Sequence, residues 1–246
     1  MMSPRSAREN ERRPTSIVVS CEHGGNDVPA WLRPRFRQLD ALLETHRGFD
    51  RGALALFGRL ERHAAVSAWS TTSRLVIDLN RSLGHPRLFS EATRPLQREE
   101  RERIVREHYL PYRQRIEEQI ATRIADGQRV LHVSVHSFVA VLDGVVREAE
   151  IGLLYDPKRS LERQLSLEWR RQLRAGDPRL RVRMNYPYKG VSDGFTRYLR
   201  TRFDDASYAG IELEVNQSQL CGERTSFPEA LGALIERSLV AARATL

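Results

Sequence analysis

Short β-branched apolar runs alternate with longer charged segments whose apolar residues recur at helical spacing. Ser16-Ile17-Val18-Val19-Ser20 reads as a buried strand that runs toward the Gly24-Gly25 turn. Residues about 38–62 place Leu39, Leu42, Leu43, Ala53, Leu54, Leu56, Phe57 and Leu60 at helical spacing, with Gly48 between them, and predict a helix or a broken pair. Residues about 65–70 and 73–79 predict two strands or one bent strand. A long charged amphipathic segment over about 97–126 should kink or restart at Pro111 and stop at Gly127. Strong strands follow at 129–135 and 151–155, then a helix over about 160–175 and a Gly-Asp-Pro turn. The remainder reads as a loop over 184–194, a helix over about 194–203, a strand over 208–215 and a last helix over about 228–244. Strands alternating with long helices imply a layered α/β fold. One domain over 15–246, preceded by a flexible basic tail over 1–14, is the expected organisation.

Composition narrows the class. The 246 residues suffice for one α/β domain with a sizeable core, and 40% hydrophobic with 29% charged residues fits a soluble globular protein. No apolar run reaches the roughly 18 residues of a membrane span. The basic, polar N-terminus lacks the apolar centre of a secretory signal. Two cysteines cannot build a disulfide framework, so a reducing cytoplasm is expected, with Cys21 a buried inert thiol. The net charge is +8, nearly all of it arginine. It is spread over segments such as Arg98–Arg103 that alternate in sign, as solvated helix faces do. No zinc finger, RNA-recognition motif or basic arm is present, so the charge argues for attraction of small anionic substrates and not for nucleic-acid binding.

Four polar patches at strand ends hold the candidate chemistry, since ligands of open α/β sheets bind there. In the first, Cys21–Asp27, His23 sits in a glycine turn and suits a metal ligand. In the second, Arg74–Arg81, Asp78 and Asn80 fall on one face of an expected strand, with Arg81 at its end. Arg81 is able to grip a carboxylate, or Asp78 to form a buried structural pair with an arginine. In the third, His132, Ser134 and His136 share one strand face. In the fourth, Glu212, Glu214 and Asn216 share a face, and a glutamate there could act as general base or, on an edge strand, merely face water. Zinc catalysis needs three protein ligands and an open position. With His23 and His136 as two of them, Asp50 is the first choice for the third, ahead of Glu22, Asn26 and Asp27; Asp50 could equally cap a helix. The segment 185–194, with Tyr188 and Lys189, suits a substrate lid.

Taken in order, these pieces resemble the N-formylglutamate amidohydrolase family, in its branch with a Cys-Glu-His turn. The matching segments are SCEHGGNDVP (20–29), FDRGA (49–53), SRLVIDLNR (73–81), VSVHSF (133–138), IGLLYD (151–156), NYPYKGVSDG (185–194) and IELEVNQ (211–217). The resemblance implies a three-layer, zinc-peptidase-like fold with a central mixed sheet flanked by helices. It also implies hydrolysis of an N-acyl amino acid such as N-formylglutamate by metal-activated water, with zinc the expected metal. On this analogy His23 and His136 hold the metal and Glu214 is the general base. A more distant similarity to aspartoacylase and zinc carboxypeptidases implies that Asn80 and Arg81 grip the substrate carboxylate and that Arg74 stabilises the oxyanion. The residues themselves add Tyr188 and Lys189 of the lid segment and Glu212 of the fourth patch as substrate-binding candidates. The carboxypeptidase His-x-x-Glu pattern is not matched, because Asn26 stands three residues after His23, so the third ligand does not transfer. A peptide or peptidoglycan-fragment amidase of the same fold, or an inactive binding protein, are the alternatives.

Overall fold

The computed structural model describes residues 13–219 and 228–245. Most of the expected tail (1–12) and Cys221 lie outside them. Six strands form one mixed sheet: β1 (Thr15–Cys21), β2 (Val66–Trp69), β3 (Arg129–Phe138), β4 (Ile151–Leu154), β5 (Val182–Met184) and β6 (Tyr208–Asn216). Their order across the sheet is β2-β1-β3-β6-β4-β5. The neighbours run parallel except at β6–β4, which is antiparallel. Every residue of β3 is buried, its polar His132, Ser134 and His136 included, as a central strand covered on both faces requires.

Helices cover both faces. On one lie α1 (Ala53–Leu60), α4 (Ser160–Gly176) and α6 (Glu229–Arg243). In α4, Leu161, Leu165, Trp169 and Leu173 recur every fourth residue and join the core built on Val19, Val133 and Leu213. The other face carries α2 (Arg98–Ile104), α3 (Leu110–Ala125) and α5 (Phe195–Arg202), with the core around Val18, Ile116, Ile120 and Phe195. Between α2 and α3, Val105–Tyr109 forms a π turn. Pro111 falls in the first turn of α3, where its missing N–H is not needed. The protein is thus a three-layer α/β fold, as expected. No helix of the described residues is long and apolar enough to cross a membrane.

The expected strand at 73–79 is absent. The segment is a succession of turns, in which Val76 N–H donates to Ser73 O and Asp78 N–H to Leu88 O. Leu75, Val76, Ile77 and Leu79 are fully buried in the α2–α3 side of the core. An unbroken apolar run reports burial and does not by itself fix an extended backbone, so the placement of Asp78 and Asn80 on one pleat face falls with the strand. Two further differences are smaller. Val182–Met184 pairs with β4 as an edge strand where the sequence suggested only a loop from 184. The stretch 38–62 breaks into Asp40–Leu43 and α1. Gly48 sits at that break because a Cβ there would lie 2.0 Å from Leu43 O.

Candidate active site

A cavity of about 650 Å³ opens at the carboxyl ends of β1, β3 and β6, lined by His23, Asp50, His136 and Glu214 among others. Each of these is placed by its backbone. His23 stands two residues past the end of β1, in the glycine turn, and the Gly24 N–H donates to Ser70 O at 2.9 Å. A Cβ on Gly25 would lie 2.8 Å from Thr71, so the turn closes this tightly only with glycine. The Asp50 N–H donates to His23 O at 2.9 Å and brings the 49–53 segment against the turn. His136 and Glu214 are register partners on adjacent parallel strands, so both side chains emerge on one side.

Three of these side chains converge. His136 Nδ1 lies 2.9 Å from Asp50 Oδ2, and His23 Nδ1 lies 3.4 Å from the same oxygen. Ligand atoms of His23, Asp50 and His136 all lie within 4.8 Å of one another, and all three residues are buried. The opposite ring nitrogens face other acids. His23 Nε2 is 2.7 Å from Asp78 Oδ1, and His136 Nε2 is 3.2 Å from Glu22 Oε2. Glu22 also accepts from Ser134 Oγ at 2.6 Å and from the Tyr112 hydroxyl at 3.0 Å. A carboxylate behind each imidazole, with the other nitrogen turned inward, is the arrangement that orients metal-ligating histidines.

The donor set fits a divalent cation on a further observation: His23 Nδ1 is buried without a hydrogen-bond partner. Two imidazole nitrogens and a carboxylate oxygen suit zinc. Asp50 does not cap α1, whose N-cap is Gly52; its carboxylate meets His136 Nδ1 and Arg74 Nη1, the latter at 3.2 Å. The other third-ligand candidates point elsewhere. Glu22 stands behind His136, Asn26 donates to Leu43 O and Glu44, and Asp27 is exposed.

Electrostatics separates the acids. Burial would raise the Asp50 carboxyl, but His23, His136 and Arg74 outweigh it and hold it below the usual range. Asp78 follows the same logic, with Arg74 and His23 offsetting its burial. Glu214 differs. Burial pushes its carboxyl up to about 8, and its Oε2 has no hydrogen-bond partner. A carboxyl whose native pKa exceeds its ordinary 4.5 favours the folded state fully below that value and loses the contribution as pH rises through about 8. Chelator-treated protein should therefore lose thermal stability relative to Glu214→Gln as pH rises across this window. A constant difference between the two melting temperatures would contradict the assignment.

The remaining expected residues divide. Arg74 bridges Asp50 and Asp78, 3.0 Å from the latter, so it is first of all a brace for both carboxylates. Arg81 lines the cavity and donates through Nη1 to Asp193 O at 2.8 Å. Asn80 has its amide oxygen committed to the Phe195 N–H at 2.6 Å, with its nitrogen 3.5 Å from His136 Nε2. Tyr188 and Lys189 line the cavity, and the Tyr188 hydroxyl accepts from Arg147. Glu212 lines it too and accepts from Thr196 Oγ1 at 2.6 Å. The strand bearing both glutamates is central and not a wet edge. Asn216 lies away from the cavity lining and donates to Arg147 O and Ala149 O. Sequence reading missed His46, Arg47, Arg87 and Arg94, which line the mouth from irregular segments with no motif to mark them.

Residues 15–221 match the N-formylglutamate amidohydrolase family. The chain belongs to that family. Two crystal structures share the fold along nearly the whole chain. One, of an Agrobacterium tumefaciens gene product, is 27% identical with TM-score 0.72 and covers 94% of this chain and 93% of that chain. The other, an N-formylglutamate amidohydrolase from Ralstonia eutropha JMP134, is 19% identical with TM-score 0.67 and covers 95% of this chain and 93% of that chain. A metallo-carboxypeptidase from Burkholderia cenocepacia aligns at TM-score 0.42 and 13% identity, covering 100% of this chain and 59% of that chain, too little to bear on the chemistry. No curated protein sequence matches. Family membership supports an amidohydrolase, and the His23, Asp50 and His136 group stands at the strand ends where such a fold binds its ligand.

Proposed function

We propose that the protein is a cytoplasmic, zinc-dependent amidohydrolase that cleaves the amide of a small acidic N-acyl amino acid, N-formylglutamate being the type substrate. The observation that carries the reading is the convergence of His23, Asp50 and His136 beside a buried, unpartnered Glu214. His23 Nδ1, His136 Nδ1 and an Asp50 oxygen would hold the metal. A divalent cation bound there would supply a Lewis acid that polarises the acyl carbonyl, acidifies a water and lowers the pKa of Glu214.

The protein's own groups account for the rest. Glu214 accepts the proton of the attacking water at its free oxygen and delivers it to the departing amine nitrogen. Asp78 and Glu22 hold the two imidazoles in the tautomer that turns Nδ1 inward. Arg74 spends one N–H of each terminal nitrogen on Asp50 and Asp78, leaving others to meet the oxyanion. Arg81, which lines the cavity as Lys189 does, meets the substrate carboxylate.

Arg81→Ala should raise KM for acidic substrates about tenfold with little change in kcat. Equal losses on neutral N-acyl substrates would remove the carboxylate clamp. The reading as a whole is tested by zinc-loaded enzyme on a panel of N-formyl and N-acetyl amino acids, followed by carboxylic acid release. Preferred hydrolysis of the acidic members is expected, and no hydrolysis of any member would refute it.

A further inference from the structure

Arg113 takes no part in the chemistry above, yet its setting is unusual. It lies on α3 with 4% exposure, and a buried charge ordinarily needs a partner of opposite sign. Among the described residues no carboxylate forms an ion pair with it. Its guanidinium instead stands over three rings, 4.3 Å from Phe195, 4.8 Å from Tyr198 and 4.9 Å from Tyr109. Through one terminal nitrogen it donates to Leu79 O at 3.0 Å and Arg81 O at 3.4 Å.

Those two carbonyls flank Asn80, in the segment that has turns where a strand was expected. Outside a sheet, buried carbonyls have no ladder partners and must find side-chain donors. Here Leu75 O accepts from Ser90 Oγ and Val76 O from Thr93 Oγ1, while Arg81 O also accepts from the Tyr109 hydroxyl. The same few residues present Asp78 to His23, Asn80 to the neighbourhood of His136, and Arg81 to the cavity. The circuit closes through Phe195, whose ring lies under the guanidinium and whose N–H is held by Asn80.

We infer that Arg113 is a positioning residue for the active site. Clamped between the rings of Tyr109, Phe195 and Tyr198, it fixes the backbone from Leu79 to Arg81, and with it the aim of Asp78 and Arg81. A lysine cannot take its place, because a compact, strongly hydrated ammonium lacks the planar, delocalised face that lies against three rings while one nitrogen holds the two carbonyls. The consequence for turnover rests on the amidohydrolase reading; the consequence for the backbone does not.

The test compares Arg113→Lys and Arg113→Ala with wild type in melting temperature, hydrogen exchange and kinetics, with ~20 mM guanidinium chloride as a probe. Expected is faster exchange confined to peptides spanning 76–82. Displacing the site should lower kcat by about 10²-fold with KM changed less. Guanidinium should partly restore kcat in Arg113→Ala and not in wild type or Arg113→Lys. Unchanged exchange over 76–82, undiminished kcat, or a loss spread over the whole chain without guanidinium rescue would each overturn the inference. If wild type hydrolyses no N-acyl amino acid, the amidohydrolase reading fails and the exchange arm alone decides the role of Arg113.

Discussion

Glu214→Gln should lower kcat by about 10³-fold or more while leaving the fold and the metal content of the protein intact. Glutamine keeps the size and planarity of the side chain but cannot accept a proton. Glu214 faces the cavity from the central strand β6 and has a buried oxygen with no other partner. Unlike Asp50, Asp78 and Glu22, it is not engaged by a histidine or arginine ion pair, so removing its charge leaves those contacts in place. Steady-state kinetics beside metal analysis of the same preparation separates the outcomes. Normal turnover in Glu214→Gln would end its assignment as general base. Loss of metal together with loss of turnover would move it into the donor set instead.

The second large effect is expected at the imidazoles. His23→Ala and His136→Ala should each abolish stoichiometric metal binding and lower kcat/KM by at least about 10³-fold, since Lewis-acid stabilisation is worth several kcal/mol. Each substitution also strands an acid. Without His23, Asp78 keeps Arg74, and without His136, Glu22 keeps Ser134 and Tyr112. Melting temperatures should accordingly fall less than activity does. Retention of full metal content in either variant, with the fold intact, would contradict the donor set.

How much of this was legible in the sequence depends on what each residue's position obeys. His136 and Glu214 lie in strands whose alternation fixes which side chains share a face within each strand, so each was legible as a candidate; that the two strands lie side by side with His136 opposite Glu214 only the fold shows. His23 was marked by the glycines after it, and Gly25 does sit where a Cβ would strike Thr71. Asp50 required the Asp50 N–H to His23 O bond, a contact no local pattern contains. Asp78 was read on the wrong backbone. The Leu75-Val76-Ile77 run signalled burial correctly and conformation incorrectly, because its carbonyls are satisfied by Ser90 and Thr93 and not by a neighbouring strand. The same limit hid Arg113, whose position on a charged helix resembles that of its solvated neighbours until the turn above it is seen. Arg47, Arg87 and Arg94 reach the cavity mouth from segments without periodicity, where only the folded chain brings them together.

The central claim, that His23, Asp50 and His136 hold a catalytic metal, is tested most directly by the metal content of purified wild-type protein after reconstitution with zinc. About one zinc per chain is expected, lost in both His23→Ala and His136→Ala. Protein that is folded yet takes up no zinc, or that keeps its zinc in both variants, would contradict the account.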